Sequence, residues 1–181
     1  MKLARLTLLL ALGACSSPEP TLPPKAPGVY FTKAAVLAAV DSDNRREVED
    51  IVANEIHLRR PEVELISTWE QFPELAGLTE QRVIEDLQRQ DVDLLVTIVP
   101  FSEEKRASYD DWSDVASDTL GTYVERLDAQ SLRGTAGVQV VAWDVATRAP
   151  VYAETTDLLV DEIAAPRDVI DFTVGTVTRD R

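Results

Sequence analysis

Cysteine and histidine are nearly absent from this chain of 181 residues, which contains one of each. A disulfide framework requires cysteines in pairs, and a transition-metal site requires three or four suitable ligands, so neither is expected. His57 falls on a predicted helix and has no cysteine or histidine partner in the sequence. We interpret His57 as a surface or boundary residue rather than as a catalytic base or a metal ligand.

Glycine-rich phosphate loops and nucleophile turns are missing as well. The sequence has no G-x-G-x-x-G, Walker or G-x-S-x-G pattern. The segment 41–43 begins like a calcium loop, but Arg45 and Arg46 follow it, and the second of these arginines stands where the loop needs glycine. We therefore predict no enzymatic activity, no cofactor and no bound metal.

Positive charge is also scarce, because 18 lysine and arginine residues face 32 aspartate and glutamate residues, for a net charge of −14. Binding to nucleic acid, or to a membrane through a polybasic patch, requires the opposite sign. The composition thus predicts no nucleic-acid partner, while strong acidity by itself names no other partner.

The single long apolar run lies at the start of the sequence. Lys2 and Arg5 precede an apolar or small stretch over residues 6–14, interrupted only by Thr7. This stretch is far shorter than the roughly 20 residues that a membrane-spanning helix needs, whereas a basic start followed by a short apolar run is typical of a secretory signal. We predict a signal peptide over residues 1–14.

The only cysteine follows this run directly, in the segment Leu-Gly-Ala-Cys over residues 12–15. This segment resembles the lipobox of bacterial lipoproteins, in which an aliphatic residue and two small residues precede the cysteine. The resemblance implies that Cys15 is the lipid attachment site and that acyl chains anchor the mature protein in a membrane. Ser16 and Ser17 follow in place of the aspartate that retains lipoproteins at the inner membrane, which implies the periplasmic face of the outer membrane.

Prolines at positions 18, 20, 23, 24 and 27 mark the next segment. Proline fixes φ and removes a backbone donor, so residues 15–28 are expected to form an extended, lipidated tether rather than part of a fold. At ~3.1 Å per residue such a tether reaches at most about 40 Å. Residues 29–181 then form a single domain, long enough to bury its own core.

The first half of this domain alternates strand and helix signals. Apolar runs predict strands over 33–40, 63–68 and 92–101. A helix between the first two strands would start in the segment 41–44, which offers several N-caps, among them a capping-box variant of Asn44 and Glu47, and would end before Pro61. A second helix would follow Thr79. The predicted inner faces are Val48, Ile51, Val52 and Ile56 for the first helix, and Val83, Ile84 and Leu87 for the second.

The second half reads differently, with two strand patterns over 136–145 and 150–160 separated by a short turn. They predict an antiparallel hairpin, after which Pro166 begins a last helix with Val169, Ile170, Val174 and Val177 facing inward. Segment 109–130 is left open between helix and loop. The predicted fold is therefore an α/β domain with a mixed sheet of four to six strands: a parallel βαβαβ part, then a C-terminal β-hairpin and helix, with the helices packed on the sheet.

The hairpin sequence VQVVAWDVATRAPVYAET, residues 138–155, carries a family resemblance. It resembles a strand–Asp–x–x–Thr–Gly–x–x–strand pattern in small bacterial envelope lipoproteins: the curli-export lipoprotein CsgG, the lipoprotein activators of penicillin-binding proteins and the N-terminal domain of TolB. Asp144 and Thr147 take the matching places, and Tyr152 takes the place of an aromatic residue on the returning strand. Arg148 departs from the pattern, which favours glycine there.

Proteins of this fold have several functions, so two function classes stay open. The first is a non-enzymatic accessory lipoprotein that binds another cell-envelope protein of cell-wall synthesis, export or assembly. The alternative is a small-molecule-binding or hydrolytic lipoprotein. Its site would lie at the carboxyl ends of the parallel strands, where Asp41, Thr68 and Ser102 would gather.

A partner is expected to contact the charged stretch over residues 100–112, since binding hot spots favour tyrosine, tryptophan and arginine. The predicted contact residues are Phe101, Arg106, Tyr109 and Trp112. The competing interpretation is that Tyr109 and Trp112 fold back as core of a following helix.

Overall fold

A computed structural model describes residues 31–104, 119–125, 127–157 and 166–178. Five strands and four helices lie within these ranges, in the following chain order. The elements are β1 (Lys33–Ala38), α1 (Ser42–Arg59), β2 (Glu64–Ser67), α2 (Glu80–Arg89), β3 (Leu94–Ser102), α3 (Leu120–Glu125), β4 (Thr135–Asp144), β5 (Pro150–Asp157) and α4 (Pro166–Thr178).

The strands form one mixed sheet in the order β2-β1-β3-β4-β5. Strand β1 pairs in parallel with β2 and β3, since the helical crossovers α1 and α2 return the chain to the same end of the sheet. Strands β3, β4 and β5 pair antiparallel. The α/β fold class predicted from the sequence is confirmed, including the parallel first part, the hairpin and the final helix.

The two faces of the sheet are buried in two separate hydrophobic clusters, because successive side chains of a strand point to opposite faces. On one face, β1 and β3 pack against α1 and α4 through residues such as Val36, Val52 and Val174. On the other face, they pack against α2 and α3 through residues such as Leu37, Leu87 and Leu120. Both faces are covered, which explains why β1 and β3 are hydrophobic without alternation.

Helix α1 differs in two details from the sequence prediction. Its N-cap is Asp41, whose carboxylate accepts from the backbone N–H of Asn44, so the predicted capping box of Asn44 and Glu47 is wrong. Ile51 is 37% exposed and does not belong to the inner face, whereas Val48, Val52 and Ile56 are buried as predicted. The helix ends at Arg59, two residues before Pro61.

Helix α2 agrees with its prediction throughout. The hydroxyl of Thr79 accepts from the backbone N–H of Arg82 and caps the helix, and Val83, Ile84 and Leu87 are buried. The final helix α4 begins at Pro166 as expected, with Val169, Ile170 and Val174 buried, while Val177 is only half-buried.

The turn between β4 and β5 shows how Asp144 and Thr147 act in the motif 138–155. The Asp144 carboxylate accepts from the backbone N–H of Thr147 at 2.6 Å. Arg148 adopts a positive φ of 62°, the conformation for which glycine is the usual residue. Its guanidinium bonds to Glu80 of α2 at 2.9 Å, which ties the strained turn to the helix.

The sequence left segment 109–130 undecided between helix and loop. Its described residues include the short helix α3, whose Leu120, Tyr123 and Val124 are buried. The described part of the chain contains no helix with the length and apolar character that crossing a membrane would require.

Candidate functional site

Of the predicted partner contacts and the predicted lipid site, the described residues include one, Phe101. Cys15, Arg106, Tyr109 and Trp112 lie outside the described residues. Phe101 is described and is 1% exposed. Its ring lies against Gly137 of β4, so closely that a Cβ at Gly137 would overlap it. Phe101 is thus part of the core, and the prediction that it contacts a partner is wrong for this structure.

The alternative site at the carboxyl ends of the parallel strands does not assemble as predicted. The strand register places Ser67 level with Val96 through their common partner Val36, so Ser102 lies five residues further along the sheet than Thr68. At ~3.3 Å per residue this is a separation of about 16 Å. Asp41, meanwhile, is occupied as the N-cap of α1. Thr68 and Ser102 therefore do not lie together at one end of the sheet.

Thr68 instead belongs to a buried polar network with Arg45 and Glu49 of α1. The Arg45 Nε donates to Glu49 Oε1 at 2.7 Å, and its Nη2 donates to the Thr68 hydroxyl at 3.1 Å. Its Nη1 donates to the backbone carbonyl of Phe72. Arg45 is 2% exposed and Glu49 0%, so the ion pair is fully removed from water. All three guanidinium nitrogens therefore have partners, as a buried charge requires.

Glu49 is needed because β2 ends early. Beyond Ser67 no strand of the described residues remains on the β2 side of β1, and the N–H of Ala38 donates to the Glu49 carboxylate at 2.9 Å. The N–H of Thr68, which also donates to the Val36 carbonyl, donates to Glu49 at 2.6 Å. Burial raises the pKa of Glu49 above its ordinary value of 4.5, and the charge of Arg45 and these N–H donors oppose that rise. The network holds α1, the ends of two strands and the loop after β2 together.

One residue further along α1, a second arginine–carboxylate pair faces solvent. Arg46 Nε lies 3.6 Å from Asp50 Oδ2, and the two side chains are 69% and 38% exposed. Asp50 also accepts from the Ser67 hydroxyl at 2.7 Å and from Trp69 Nε1 at 3.1 Å. The Arg46 guanidinium lies 4.5 Å from the centre of the Trp69 ring, within cation–π range. The half-buried Trp69 is thereby held in place from two sides.

Two apolar side chains form a separate exposed stripe on the helix. Leu58 is 74% exposed and Ile51 is 37% exposed, and they are the large hydrophobic side chains of the described residues that remain exposed. Their spacing of seven residues places them on one stripe of the helix. We call Arg46, Asp50, Ile51, Leu58 and Trp69 the α1 surface.

A groove opens at the other end of α1, beside the beginning of β2. It has a volume of about 460 Å³ and is lined by Thr32, Ala53, Asn54, His57 and the segment 61–65. The Nδ1 of His57 lies 3.1 Å from the carbonyl oxygen of Val63, so the imidazole joins the end of the helix to the strand. This agrees with the interpretation of His57 as a boundary residue.

Carboxylates are abundant but do not converge on a metal site in the described ranges. No group of three histidine, cysteine, aspartate or glutamate side chains within these ranges could hold an ion. Asp93 shows how such a carboxylate is used: its Oδ2 accepts from the backbone N–H and the hydroxyl of Thr32 and from the N–H of Lys33. These donors, led by the Thr32 N–H, lower the pKa of Asp93.

Sequence reasoning missed both the buried network and the α1 surface. In the sequence Arg45 and Glu49 form an i, i+4 pair, and Arg46 and Asp50 have the same spacing. The spacing alone therefore does not indicate which pair is buried. Trp69 follows the predicted strand 63–68 directly, and an aromatic residue at the end of an edge strand is the signal that could have drawn attention to the surface.

Comparison with known proteins gives a fold likeness and little more. No family model and no curated protein matches the chain. Two solved structures of PelC dodecamers from Paraburkholderia phytofirmans resemble it at 12% sequence identity. One, of a single-residue variant, gives a TM-score of 0.41 over 81% of this chain and 85% of that chain. The other gives 0.40 over 81% of each. Likeness at this level carries no argument about what this protein does.

Proposed function

We propose that the protein is a lipoprotein anchored through Cys15 in the bacterial outer membrane, facing the periplasm, and that it acts as a non-enzymatic accessory protein. In this proposal it binds another protein of the cell envelope, one that serves cell-wall synthesis, export or assembly. The signal-like residues 1–14 and the lipobox-like residues 12–15 support the anchor. Two or more acyl chains give stable attachment to a membrane.

The observation that carries the binding role is the α1 surface. A half-buried tryptophan stacked by an arginine combines two of the residue types that dominate the energetics of protein interfaces. Leu58 and Ile51 lie on a separate stripe of α1, about 120–140° around the helix from Arg46. Trp69 is also held rigidly by Asp50, which lowers the entropy lost when a partner binds it.

Three polar side chains of the described residues that could serve in catalysis have structural partners. The Ser67 hydroxyl donates to Asp50, His57 bonds to the Val63 carbonyl, and Glu49 is paired with Arg45. A serine activated for catalysis would donate to a base that is free to take its proton, usually a histidine. This arrangement favours binding over chemistry.

In-cell photocrosslinking tests the binding role. A photoreactive phenylalanine analogue placed at Leu58 or Ile51 of the full-length protein should crosslink to one envelope protein, and the same probe at Glu85 on the exposed side of α2 serves as the control. Probes at Tyr109 and Trp112 test the stretch 100–112 in the same experiment. If no position yields a crosslinked partner, the accessory role is wrong.

The anchor has its own test. Fatty-acid labelling should mark the wild-type protein and not Cys15→Ser, which should also leave the outer-membrane fraction. Label retained in Cys15→Ser would contradict the anchor.

A further inference from the structure

Several hydrogen bonds converge on the two residues with which the chain enters β1. The backbone N–H groups of Thr32 and Lys33 donate to Asp93 Oδ2 at 2.9 and 3.2 Å, and the Thr32 hydroxyl donates to the same oxygen at 2.9 Å. The backbone N–H of Asp93 donates back to the Lys33 carbonyl at 2.9 Å. On the side of β2, the N–H of Glu64 donates to the Thr32 carbonyl at 2.9 Å. The start of β1 is thereby fastened to β2 and to the residue that precedes β3.

The carboxyl end of β2 is fastened in a similar way. The backbone N–H of Thr68, the residue after the strand, donates to the buried Glu49 carboxylate at 2.6 Å. The next residue, Trp69, donates from its Nε1 to Asp50 at 3.1 Å. Two carboxylates of α1 therefore reinforce the point at which the chain leaves β2 and reaches the α1 surface.

These two reinforced points lie at opposite ends of one parallel strand pair. Strands β1 and β2 pair in parallel over four residue pairs, from Lys33 with Glu64 to Val36 with Ser67. The predicted tether precedes β1, whereas Trp69 follows β2. A membrane anchor and a partner bound at Trp69 would therefore pull the two strands in opposite directions along their length. In that geometry the evenly spaced hydrogen bonds of a parallel ladder stretch together, whereas strands pulled apart from one end lose them one at a time.

We propose that the strand pair β1–β2 carries tension between the membrane anchor and a bound partner, and that Asp93 and Glu49 fasten the two ends at which this tension enters the sheet. Among the described strands β2 pairs with β1 alone, so tension that enters at Trp69 reaches the sheet through this ladder and through α1. A protein built in this way stays folded while its partner moves relative to the membrane. This inference rests on the proposed anchor and accessory function, and it adds a mechanical role for the fold.

Single-molecule force spectroscopy tests the role of the strand pair. Cys15 is the only cysteine of the sequence, so the mature chain produced without lipid offers one natural attachment point for a handle. Glu70→Cys adds a second attachment point beyond the carboxyl end of β2, which gives the pulling direction of the proposal. Glu62→Cys, just before β2, is the matched control, because it pulls the same two strands apart from one end. Both glutamate side chains are exposed, so neither substitution disturbs the core.

The two pulling directions should differ in the force needed to unfold the protein. We expect Glu70→Cys to need at least about twice the force of Glu62→Cys at the same loading rate, because bonds that stretch together also fail together, and forced unfolding follows the unfolding rate. Circular dichroism without force checks that both variants are folded. Equal forces in the two directions, or a lower force for Glu70→Cys, would overturn the proposal.

Asp93→Ala tests the fastening at the tether end. It removes the carboxylate that holds Thr32 and Lys33, so the unfolding rate at constant force in the Glu70→Cys direction should rise at least about tenfold. Glu85→Ala removes an exposed carboxylate of α2 and should leave this rate unchanged. Without force, the unfolding rate of Asp93→Ala in denaturant should rise less than it does under force. Equal increases with and without force would assign Asp93 a general stabilising role and contradict the fastening.

The failure of this inference and the failure of the proposed function give different results. If the two pulling directions need equal forces while the protein still crosslinks to an envelope partner in cells, the mechanical role is wrong and the accessory role stands. If no position crosslinks in cells, the accessory role fails whatever the forces are, and this inference fails with it.

Discussion

Helix α1 carries two arginine–carboxylate pairs of equal i, i+4 spacing, offset by one residue and placed in opposite environments. Arg45 and Glu49 are buried between the helix and the ends of two strands, with the Nε–Oε1 distance at 2.7 Å. Arg46 and Asp50 lie at the surface, with a looser contact of 3.6 Å. In the buried pair both ions have lost their water, so each depends on the other; in the exposed pair water screens and replaces the contact.

The two pairs also differ in what else they hold. The Glu49 carboxylate accepts from two backbone N–H groups at the sheet edge, and Arg45 reaches the carbonyl of Phe72. Asp50 positions the side chains of Ser67 and Trp69, which face outward. The buried pair therefore stabilises the fold, and the exposed pair arranges a surface that a partner could contact.

The largest expected effect is that of Arg45→Met. It leaves Glu49 buried without its cation, which typically costs about 3–5 kcal/mol of the free energy of unfolding. For a domain of this size that corresponds to a melting temperature lower by roughly 2–4 °C per kcal/mol. Arg46→Met is the matched control and should change stability by less than about 0.5 kcal/mol. Equal melting temperatures for the two variants would contradict the conclusion that the buried pair stabilises the fold more than the exposed pair.

Thr68→Val should have the next largest effect. The substitution keeps the shape of the side chain and removes the hydroxyl that accepts from Arg45 and lies within hydrogen-bonding distance of Glu49. Leaving a buried donor unsatisfied costs about 1–3 kcal/mol. Denaturant titration measures this loss in the free energy of unfolding. In the same measurement Ser67→Ala, which removes the surface hydroxyl bonded to Asp50, should lower the free energy of unfolding by less than about 1 kcal/mol. A larger loss for Ser67→Ala than for Thr68→Val would contradict the structural role of the buried network.

The pH dependence of stability sharpens the contrast further. Without Arg45 the pKa of Glu49, which burial already raises, should rise more. A raised carboxyl pKa in the folded state contributes stability that is complete below the unfolded value, near 4.5, and is lost as the pH rises through the folded value. The deficit of Arg45→Met should therefore be largest at neutral pH and should shrink as the pH falls towards 4.5.

Asp93→Asn provides the control for this measurement. The lowered pKa of Asp93 means that its contribution is present above its ordinary value of 3.8 and is lost only as the pH falls through the folded value. The deficit of Asp93→Asn should accordingly persist at pH 4.5. If the Arg45→Met deficit also stays constant down to that pH, Glu49 is not the group that titrates.

Arg46→Glu should have a small effect on stability and the greatest effect on function. Exposed ion pairs of this kind contribute about 0.2–1 kcal/mol, so the melting temperature should fall by a few degrees at most. The change repels Asp50 and removes the cation from the face of Trp69. Crosslinking from Leu58 to an envelope partner should fall sharply. Undiminished crosslinking would show that Arg46 does not contribute to partner binding.

The order and type of the elements could be predicted from the sequence. Continuous apolar runs identified β1 and β3, Thr79 identified the start of α2, and Pro166 identified the start of α4. These signals are local, because they depend on periodicity and on residues with restricted backbones. The sequence left the N-cap of α1 open within the segment 41–44, since Asp41 and Asn44 are both good capping residues and only the path of the chain after β1 selects Asp41.

The candidate site was much harder to predict. The stretch 100–112 was chosen because it is charged and aromatic, yet Phe101 lies in the core beside Gly137. Whether an aromatic residue near a strand end is buried depends on what packs over it, and for Phe101 the small residue opposite on β4 creates the space. Trp69 meets the opposite situation, because its strand is at the edge and nothing in the described chain covers it completely.

The sequence by itself determined the helices and strands, the parallel and antiparallel halves of the sheet, and the scarcity of groups for metal or disulfide chemistry. Tertiary structure decided which of two equivalent arginine–carboxylate pairs became structural. Successive residues of a helix point about 100° apart, so a shift of one position turns a side chain from the core to solvent. The early end of β2 then left the backbone N–H of Ala38 without a strand partner in the described part of the chain, and Glu49, which accepts from this N–H and from that of Thr68, is buried there.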